Sequence, residues 1–213
     1  MLDFKTELLT DLIYNSNKIE NLDYTREETL ICIQDGHGPK EILNHYRVYE
    51  QVILASNELP KSIDDVRQIH AGLMNGILPT ILCGHFRLTA KIISGTNEIL
   101  PHPHDIDELG ERFDEYMLDV LAAACTKVGP ERNRMVIKAA WSIHDFFETI
   151  HPFDDGNGRT GRILLNWILW HFNCRTVVVN YKEKEKYFKN IRRWSRHNEN
   201  LFKVERNCVG GGE

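Results

Sequence analysis

The chain has 213 residues, a length that fits one domain of ordinary size with a substantial core. Hydrophobic residues make up 42% and charged residues 27%, a composition that is typical of globular proteins and excludes a wholly disordered chain. The formal net charge of −5 argues against nucleic acid as the main partner, because a duplex-binding protein must neutralise many phosphates with Lys and Arg.

Helical periodicity of the apolar residues dominates the chain. Thr25 to Glu28 match the capping box that opens a helix. Other predicted helices cover residues 8–14, 42–53, 62–73, 106–124, 136–150 and 163–170. The last of these is apolar on nearly every face, which predicts a helix buried in the middle of the domain.

Between Gly84 and Pro103 the helical pattern is interrupted by glycine and proline. Two pairs of apolar residues flank the turn sequence of residues 94–97, which predicts a β-hairpin. We therefore expect an all-α helical bundle with one small hairpin. We divide it into a helical arm over residues 1–30, a main domain over residues 31–205 and a disordered tail over residues 206–213.

The five cysteines are scattered without a paired spacing, so we expect reduced thiols and a cytoplasmic protein. Residues 1–7 lack the basic and apolar stretches of a signal peptide. No apolar run approaches the length that spans a membrane, so we expect no membrane partner.

The loop from His151 to Arg162 connects two predicted helices and carries groups that suit a triphosphate. Gly156 and Gly158 permit backbone conformations in which successive N–H groups turn toward an anion at a helix N-terminus. Arg159 and Arg162 are three residues apart on the first helical turn, so both can face one polyphosphate. The loop therefore predicts a phosphate-binding site.

The same loop also carries a base and a carboxylate. Asp155 is a candidate ligand of Mg²⁺, with phosphates and water completing the shell. Pro152 restricts the backbone, and Phe153 is a candidate structural anchor in the core. A neutral His151 can take the proton of a hydroxyl that attacks phosphorus. These residues predict phosphoryl or nucleotidyl transfer, but they leave open the α- or γ-phosphorus and the kind of acceptor.

Two other motifs overlap this loop, and we reject both. Residues 156–161 match the dinucleotide fingerprint G-x-G-x-x-G, which requires a preceding strand where this chain has a helical pattern. Residues 154–158 are similar to the start of a calcium loop but lack the alternating ligands and final Glu of an EF-hand. A plain glycine-rich connection would explain the glycines and would leave the two arginines and the histidine unexplained.

Residues His151 to Arg162 match every fixed position of the motif HPFx(D/E)GNGRxxR, and the chain resembles the Fic family there. The resemblance implies a Fic fold and transfer of AMP from ATP, with Mg²⁺, to a Tyr, Thr or Ser hydroxyl of a target protein. It implies His151 as general base and Asp155 as the metal ligand. Asn157, with the Gly156 and Gly158 amides, and the two arginines would bind the phosphates.

The resemblance extends to the predicted hairpin. Gly84-His85-Phe86-Arg87 and the hairpin around Gly95 are similar to the flap on which family members bind the backbone of the target by strand addition. The candidate target-docking residues are Ile92, Ile93, Ser94 and Gly95.

Residues 16–21 resemble the family's inhibitory motif (S/T)xxxE(G/N), with Ser16, Glu20 and Asn21 at its fixed positions. The resemblance implies that Glu20 pairs with Arg162 in the place of the γ-phosphate, so that ATP binds unproductively. In some family members the same glutamate supports removal of AMP from the target, and both roles stay open here.

Three alternatives remain open: a transferase of another phosphate-containing group, an enzyme that acts mainly in reverse, and a non-catalytic nucleotide-binding regulator. The intact His151 argues against the last. His144 is expected to pack or hydrogen-bond in the core. The target protein and the oligomeric state, including a homo-oligomer, stay open.

Overall fold

The computed structural model of the chain describes residues 4–54, 58–92 and 100–204. Most of this range is α-helical, and α3 continues into a π-helical turn over Glu50–Leu54. The α-helices of the described residues are α1 Phe4–Ile19, α2 Arg26–Asp35, α3 Lys40–Tyr49, α4 Ile63–Met74, α5 Ile106–Cys125, α6 Gly129–Ile150, α7 Asn157–His171 and α8 Lys184–His197. The all-α prediction is confirmed.

Helix α7 lies at the centre of the fold, as its apolar sequence predicted. Leu164 and Leu165 pack into a hydrophobic cluster with α5 and α6, whereas Ile163 and Trp167 pack into a second cluster with α1 to α4. All four side chains are buried. The loop that precedes α7 therefore ends where the two hydrophobic clusters meet.

Local signals account for the starts of α2 and α6. Thr25 forms the predicted capping box with Glu28. Its hydroxyl accepts from the Glu28 N–H, and its backbone N–H donates to the Glu28 carboxylate. Helix α6 starts at Gly129, earlier than the predicted Val136. Its first turns are largely exposed and carry no apolar periodicity, but Pro130 favours the first turn of a helix.

Helix α1 packs into the main core. Leu9, Leu12 and Ile13 are buried in the same hydrophobic cluster as residues of α3, α4 and α7. A salt bridge from Arg26 to Asp11 also ties α2 to α1. The first helix is thus a structural part of the bundle.

The predicted hairpin falls largely on Ile93, Ser94 and Gly95, which lie outside the described residues, as does the predicted tail. At the base of this segment the N–H of Leu100 donates to the carbonyl of Lys91 at 3.4 Å. The two ends of the segment therefore meet. In the part of the chain that the structure covers, no helix is long and apolar enough to cross a membrane.

Candidate active site

The loop between α6 and α7 is fixed to the core by Phe153. This side chain is fully buried, and its ring stacks on that of His70 with centroids 3.8 Å apart. The side chain of Asn157 accepts from the Phe153 N–H and donates to the Phe153 carbonyl, both at 2.9 Å. The Asn157 amide therefore shapes the loop, and its predicted contact with phosphate stays a prediction.

His70, on α4, is a loop-positioning residue that sequence reasoning missed. The Gly84 N–H donates to Nδ1 of His70 at 2.8 Å, so Nε2 carries the hydrogen and donates to the Asp155 carbonyl at 2.9 Å. Burial lowers the pKa of His70 to about 4, which keeps the ring neutral. Its sequence context, the apolar face of a helix, carried no signal of this role.

Arg87 is a second missed residue, although it lies in the segment that resembles the family's flap. Its backbone N–H donates to the Pro152 carbonyl at 2.8 Å, and Nε of its guanidinium donates to the His151 carbonyl at 2.9 Å. The remaining donors bond the carbonyls of Thr89 and Pro101. The guanidinium is 1% exposed and joins both ends of the flap segment to the loop.

His151 ends α6 in the left-handed conformation, with φ 49° and ψ 60°. This backbone turns the chain out of the helix and is unusual for a residue with a side chain. Burial lowers the pKa of His151 to about 4, and the positive charge of Arg87 acts in the same direction. The imidazole is therefore neutral at ordinary pH and has a lone pair for a proton.

The start of α7 is open to a close approach of an anion. Gly156 has φ 78°, and a Cβ there would lie 2.7 Å from Sδ of Met74. A Cβ on Gly158 would overlap Oε1 of Glu20 and lie 2.9 Å from Nη1 of Arg162. Because Gly158 has no side chain, the carboxylate of Glu20 lies against the first turn of α7, a place that favours negative charge.

The two arginines of the loop have different surroundings. Arg159 is 4% exposed, and its Nε and Nη1 have no hydrogen-bond partner among the described residues. Its Nη2 lies 3.5 Å from Oδ2 of Asp155. Arg162 faces α1 instead, where its Nε and Nη2 donate to Ser16 and Glu20. Their joint contact with one polyphosphate stays a prediction, and the unpartnered donors of Arg159 fit a site that accepts an anion or water.

Arg162 is surrounded by the predicted inhibitory residues. Its Nε donates to Oγ of Ser16 at 2.9 Å, and its Nη2 donates to the Ser16 carbonyl at 3.1 Å and to Oε1 of Glu20 at 2.7 Å. Ser16 and Arg162 are buried, whereas the Glu20 side chain is 31% exposed. The structure thus brings together three residues that the sequence separates by up to 146 positions.

Asn21, the last residue of the predicted inhibitory motif, ends the turn that follows α1. Its φ of 61° is left-handed, a conformation that Asn tolerates better than most residues. Its Oδ1 accepts from Nζ of Lys184 at 2.9 Å, which joins the end of α1 to α8. Asn21 therefore fixes the path of the backbone directly after Glu20.

Glu20 and His151 line one cavity of about 460 Å³, a size that suits a nucleotide-sized ligand. One wall is the loop with Asp154 and Gly158, and the opposite wall is α8. The α8 residues on this wall are Lys184, Phe188, Ile191 and Arg192. At the mouth, Nζ of Lys91 lies 2.9 Å from the Asp154 carboxylate, and Ile92 is 66% exposed.

Asp155 is the candidate metal ligand. Its side chain is 61% exposed, and its Oδ1 accepts from the Gly156 N–H at 2.6 Å. Among the described residues, no group of three His, Cys, Asp or Glu side chains could hold a metal ion. A single exposed carboxylate fits Mg²⁺ that arrives with a triphosphate, because Mg²⁺ takes most of its ligands from phosphates and water.

Comparison with known proteins identifies the family. Residues 60–169, which are 110 of the 213 residues, match the family model described as Fic/DOC family. The chain belongs to the Fic/DOC family. The matched range begins before α4 and ends within α7, so it contains His70, Arg87 and the whole loop.

Two curated relatives are named as a protein adenylyltransferase or a probable one. The protein adenylyltransferase Fic of Nematostella vectensis is 28% identical over 186 residues, covering 83% of this chain and 41% of that protein. A probable protein adenylyltransferase of Aquifex aeolicus is 26% identical over 194 residues, covering 81% of this chain and 56% of that protein. The chain thus spans about half the length of these relatives.

Solved structures establish the Fic fold. A Fic domain containing signaling protein from Bacteroides thetaiotaomicron aligns with a TM-score of 0.72 and 19% identity, covering 88% of this chain and 72% of that one. Fic-1 from C. elegans aligns with a TM-score of 0.69 and 20% identity, covering 94% and 60%. The predicted Fic fold is confirmed.

Proposed function

We propose that this protein transfers AMP from ATP to a hydroxyl side chain of a target protein, with His151 as the general base. The observation that carries the proposal is the position of a neutral His151 in one cavity with the N-terminus of α7. The names of the two curated relatives support AMP as the transferred group. Mg²⁺, when bound at Asp155, would neutralise charge on the phosphates.

The proposed step moves one proton and exchanges one bond at phosphorus. A neutral imidazole carries one hydrogen, so the other ring nitrogen of His151 is free to accept the proton. The target oxygen attacks the α-phosphorus as that nitrogen takes its proton. The bond to the bridging oxygen breaks, and pyrophosphate leaves with the electron pair.

We further propose that Glu20 inhibits this reaction in cis. Its carboxylate occupies the donors of Arg162 and the start of α7, two groups that would otherwise bind the γ-phosphate. Residues 1–30 would then form a regulatory segment, and residues 31–205 the catalytic domain. ATP entering beside a bound Glu20 would lack these contacts and leave its α-phosphorus out of line with the acceptor.

The test is transfer of label from α-labelled ATP with Mg²⁺ to the protein itself and to a lysate. Wild type, Glu20→Gly, His151→Asn and the double variant are compared, because Asn tolerates the left-handed backbone at position 151. We expect strong labelling in Glu20→Gly, none in the double variant and none from γ-labelled ATP. Transfer of the γ-label would replace AMP by phosphate, and ATP binding without transfer in any variant would favour the regulator.

A second activity, removal of AMP, is favoured by the presence of Glu20 and His151 in the same cavity. A carboxylate there could position water for attack on the phosphorus of a modified target. We would incubate AMP-labelled target with wild type and with Glu20→Gln. Faster release by wild type would support this activity, and equal release would contradict it.

A further inference from the structure

Arg162 has a second support, from α8. Its Nη1 donates to the hydroxyl of Tyr187 on α8 at 3.4 Å. That hydroxyl lies 2.8 Å from Nε2 of His144, and Nδ1 of His144 lies 2.8 Å from Oδ1 of Asp145. Tyr187 is 5% exposed, His144 is fully buried and Asp145 is 8% exposed. A continuous buried chain of hydrogen bonds therefore ends on Arg162.

The direction of each hydrogen in this chain follows from its ends. The Asp145 carboxylate only accepts, so Nδ1 of His144 carries a hydrogen, and in that tautomer Nε2 is the acceptor. The Tyr187 hydroxyl therefore donates to Nε2, and its oxygen accepts from the guanidinium of Arg162, which only donates. The carboxylate fixes the tautomer of His144, and the tautomer fixes the orientation of the Tyr187 hydroxyl.

The buried acid Glu148 lies beside this chain of hydrogen bonds. Oε1 of Glu148 lies 3.9 Å from Nε2 of His144 and has no hydrogen-bond partner in the part of the chain that the structure describes. Burial raises the pKa of Glu148 to about 7, so at neutral pH a large fraction is uncharged and competes weakly with Glu20 for Arg162.

We propose that Tyr187 and His144 are positioning residues for Arg162, keeping its guanidinium directed at the phosphate site when Glu20 is absent. This inference rests on the proposed function, in which Arg162 binds the γ-phosphate of ATP. The contacts with Ser16 and Glu20 come from α1 and belong to the inhibited state. Tyr187 contacts Arg162 from α8, independently of Glu20.

A double-mutant cycle on ATP affinity tests this role. Tyr187→Phe keeps the ring and removes only the hydroxyl, and it is made in the Glu20→Gly protein with and without Arg162→Lys. We expect Tyr187→Phe to weaken ATP binding about tenfold when Arg162 is present, as for one hydrogen bond to a charged group. After Arg162→Lys, its effect should fall below about twofold, the limit for independent sites.

Two further comparisons separate positioning from packing. Tyr116→Phe removes another partly buried hydroxyl, which is bonded to Ser142 and not to Arg162, and should leave ATP affinity unchanged. His144→Gln keeps an acceptor for the Tyr187 hydroxyl and should retain more ATP affinity than His144→Phe, which keeps only the ring. In label transfer, Tyr187→Phe should raise KM for ATP with kcat within about twofold.

An equal loss of affinity from Tyr187→Phe with and without Arg162→Lys would overturn the inference, because the ring would then act through packing alone. Wild-type affinity in Tyr187→Phe would overturn it as well. If the Glu20→Gly protein binds ATP but transfers nothing, the proposed function fails, while the affinity cycle still decides the positioning role.

Discussion

Oε1 of Glu20 accepts a hydrogen bond from Nη2 of Arg162 at 2.7 Å and thereby joins the end of α1 to the first turn of α7. The two groups differ in exposure, since the Glu20 side chain is 31% exposed and that of Arg162 is 3% exposed. The buried cation depends on a carboxylate at the edge of the cavity for its nearest counter-charge. Removing that charge should change both stability and ATP binding.

Glu20→Gln keeps the shape of the side chain and removes its charge. We expect a lower melting temperature without ATP, because Arg162 loses its partner, and a larger rise on adding ATP than in wild type. Hydrogen bonds to charged groups contribute about 1.5–3 kcal/mol, so ATP affinity should increase roughly tenfold or more. Thermal unfolding with an ATP titration measures both effects. The exposed Glu27→Gln serves as control, and a Glu20→Gln protein that behaves like it would contradict the prediction.

Gly156→Ala should damage the fold at the loop. A side chain at φ 78° is strained by about 1–2 kcal/mol, and the new Cβ would also meet Sδ of Met74 at 2.7 Å. Gly129 has a similar φ of 58°, and a Cβ there would meet no atom of another described segment within 4 Å, so Gly129→Ala carries the strain alone. Chemical denaturation of the two variants should show a larger loss for Gly156→Ala. Equal losses would mean that Met74 moves aside freely.

The lowered pKa of His151 predicts a pH dependence of stability. The unfolded chain gains this proton as pH falls through 6.5, but the folded protein gains it only near pH 4. The unfolded state therefore binds more protons in this window, and the free energy of unfolding falls as pH falls from 6.5 to 4. His151→Asn should remove up to about 1.4 kcal/mol per pH unit from this slope.

The measurement is the difference in denaturation free energy between wild type and His151→Asn at several pH values. The difference is needed because Glu148, with its pKa raised to about 7, changes stability in the opposite direction over much of the same range. The exposed His102→Asn is the control and should leave the slope unchanged. Parallel curves for wild type and His151→Asn would show that His151 titrates normally.

Arg87→Lys should both destabilise the protein and abolish transfer. Lysine keeps the charge but lacks the planar set of donors that reaches the carbonyls of His151, Thr89 and Pro101. Each buried carbonyl left unpaired costs about 1–3 kcal/mol, so we expect a loss of roughly 3 kcal/mol or more. Denaturation and label transfer are measured beside Arg134→Lys, an exposed control. Full activity in Arg87→Lys would show that the loop holds its own shape.

Much of the architecture could be predicted because its signals are local. Apolar residues at helical spacing predicted the helices around α7, and the contiguous motif predicted a candidate site at the start of α7. The contact of Glu20 with Arg162 followed from the resemblance alone, since 142 residues separate the two in the chain. No periodicity in the sequence connects them.

The residues that position the site could not be predicted in the same way. His70, Arg87 and Tyr187 lie on three separate segments, and each acts through a backbone carbonyl or a buried hydroxyl that no pattern marks. Arg159 and Arg162 are close on the helical surface, but α7 is covered on both sides, and packing decides which neighbour each one meets. Tertiary packing determines these contacts.

The burial of α1 restricts how the proposed inhibition could be relieved. Detaching the helix would expose Leu9, Leu12 and Ile13, at about 1.5–3 kcal/mol each, a large part of the stability of a whole domain. Glu20 lies one residue beyond the last helical residue, so a rotamer change at that residue frees Arg162 while the helix stays packed. Such rearrangements are fast compared with turnover. The inhibited enzyme would then keep a low basal activity that rises gradually with ATP concentration. It would not switch between a fully inactive and a fully active state.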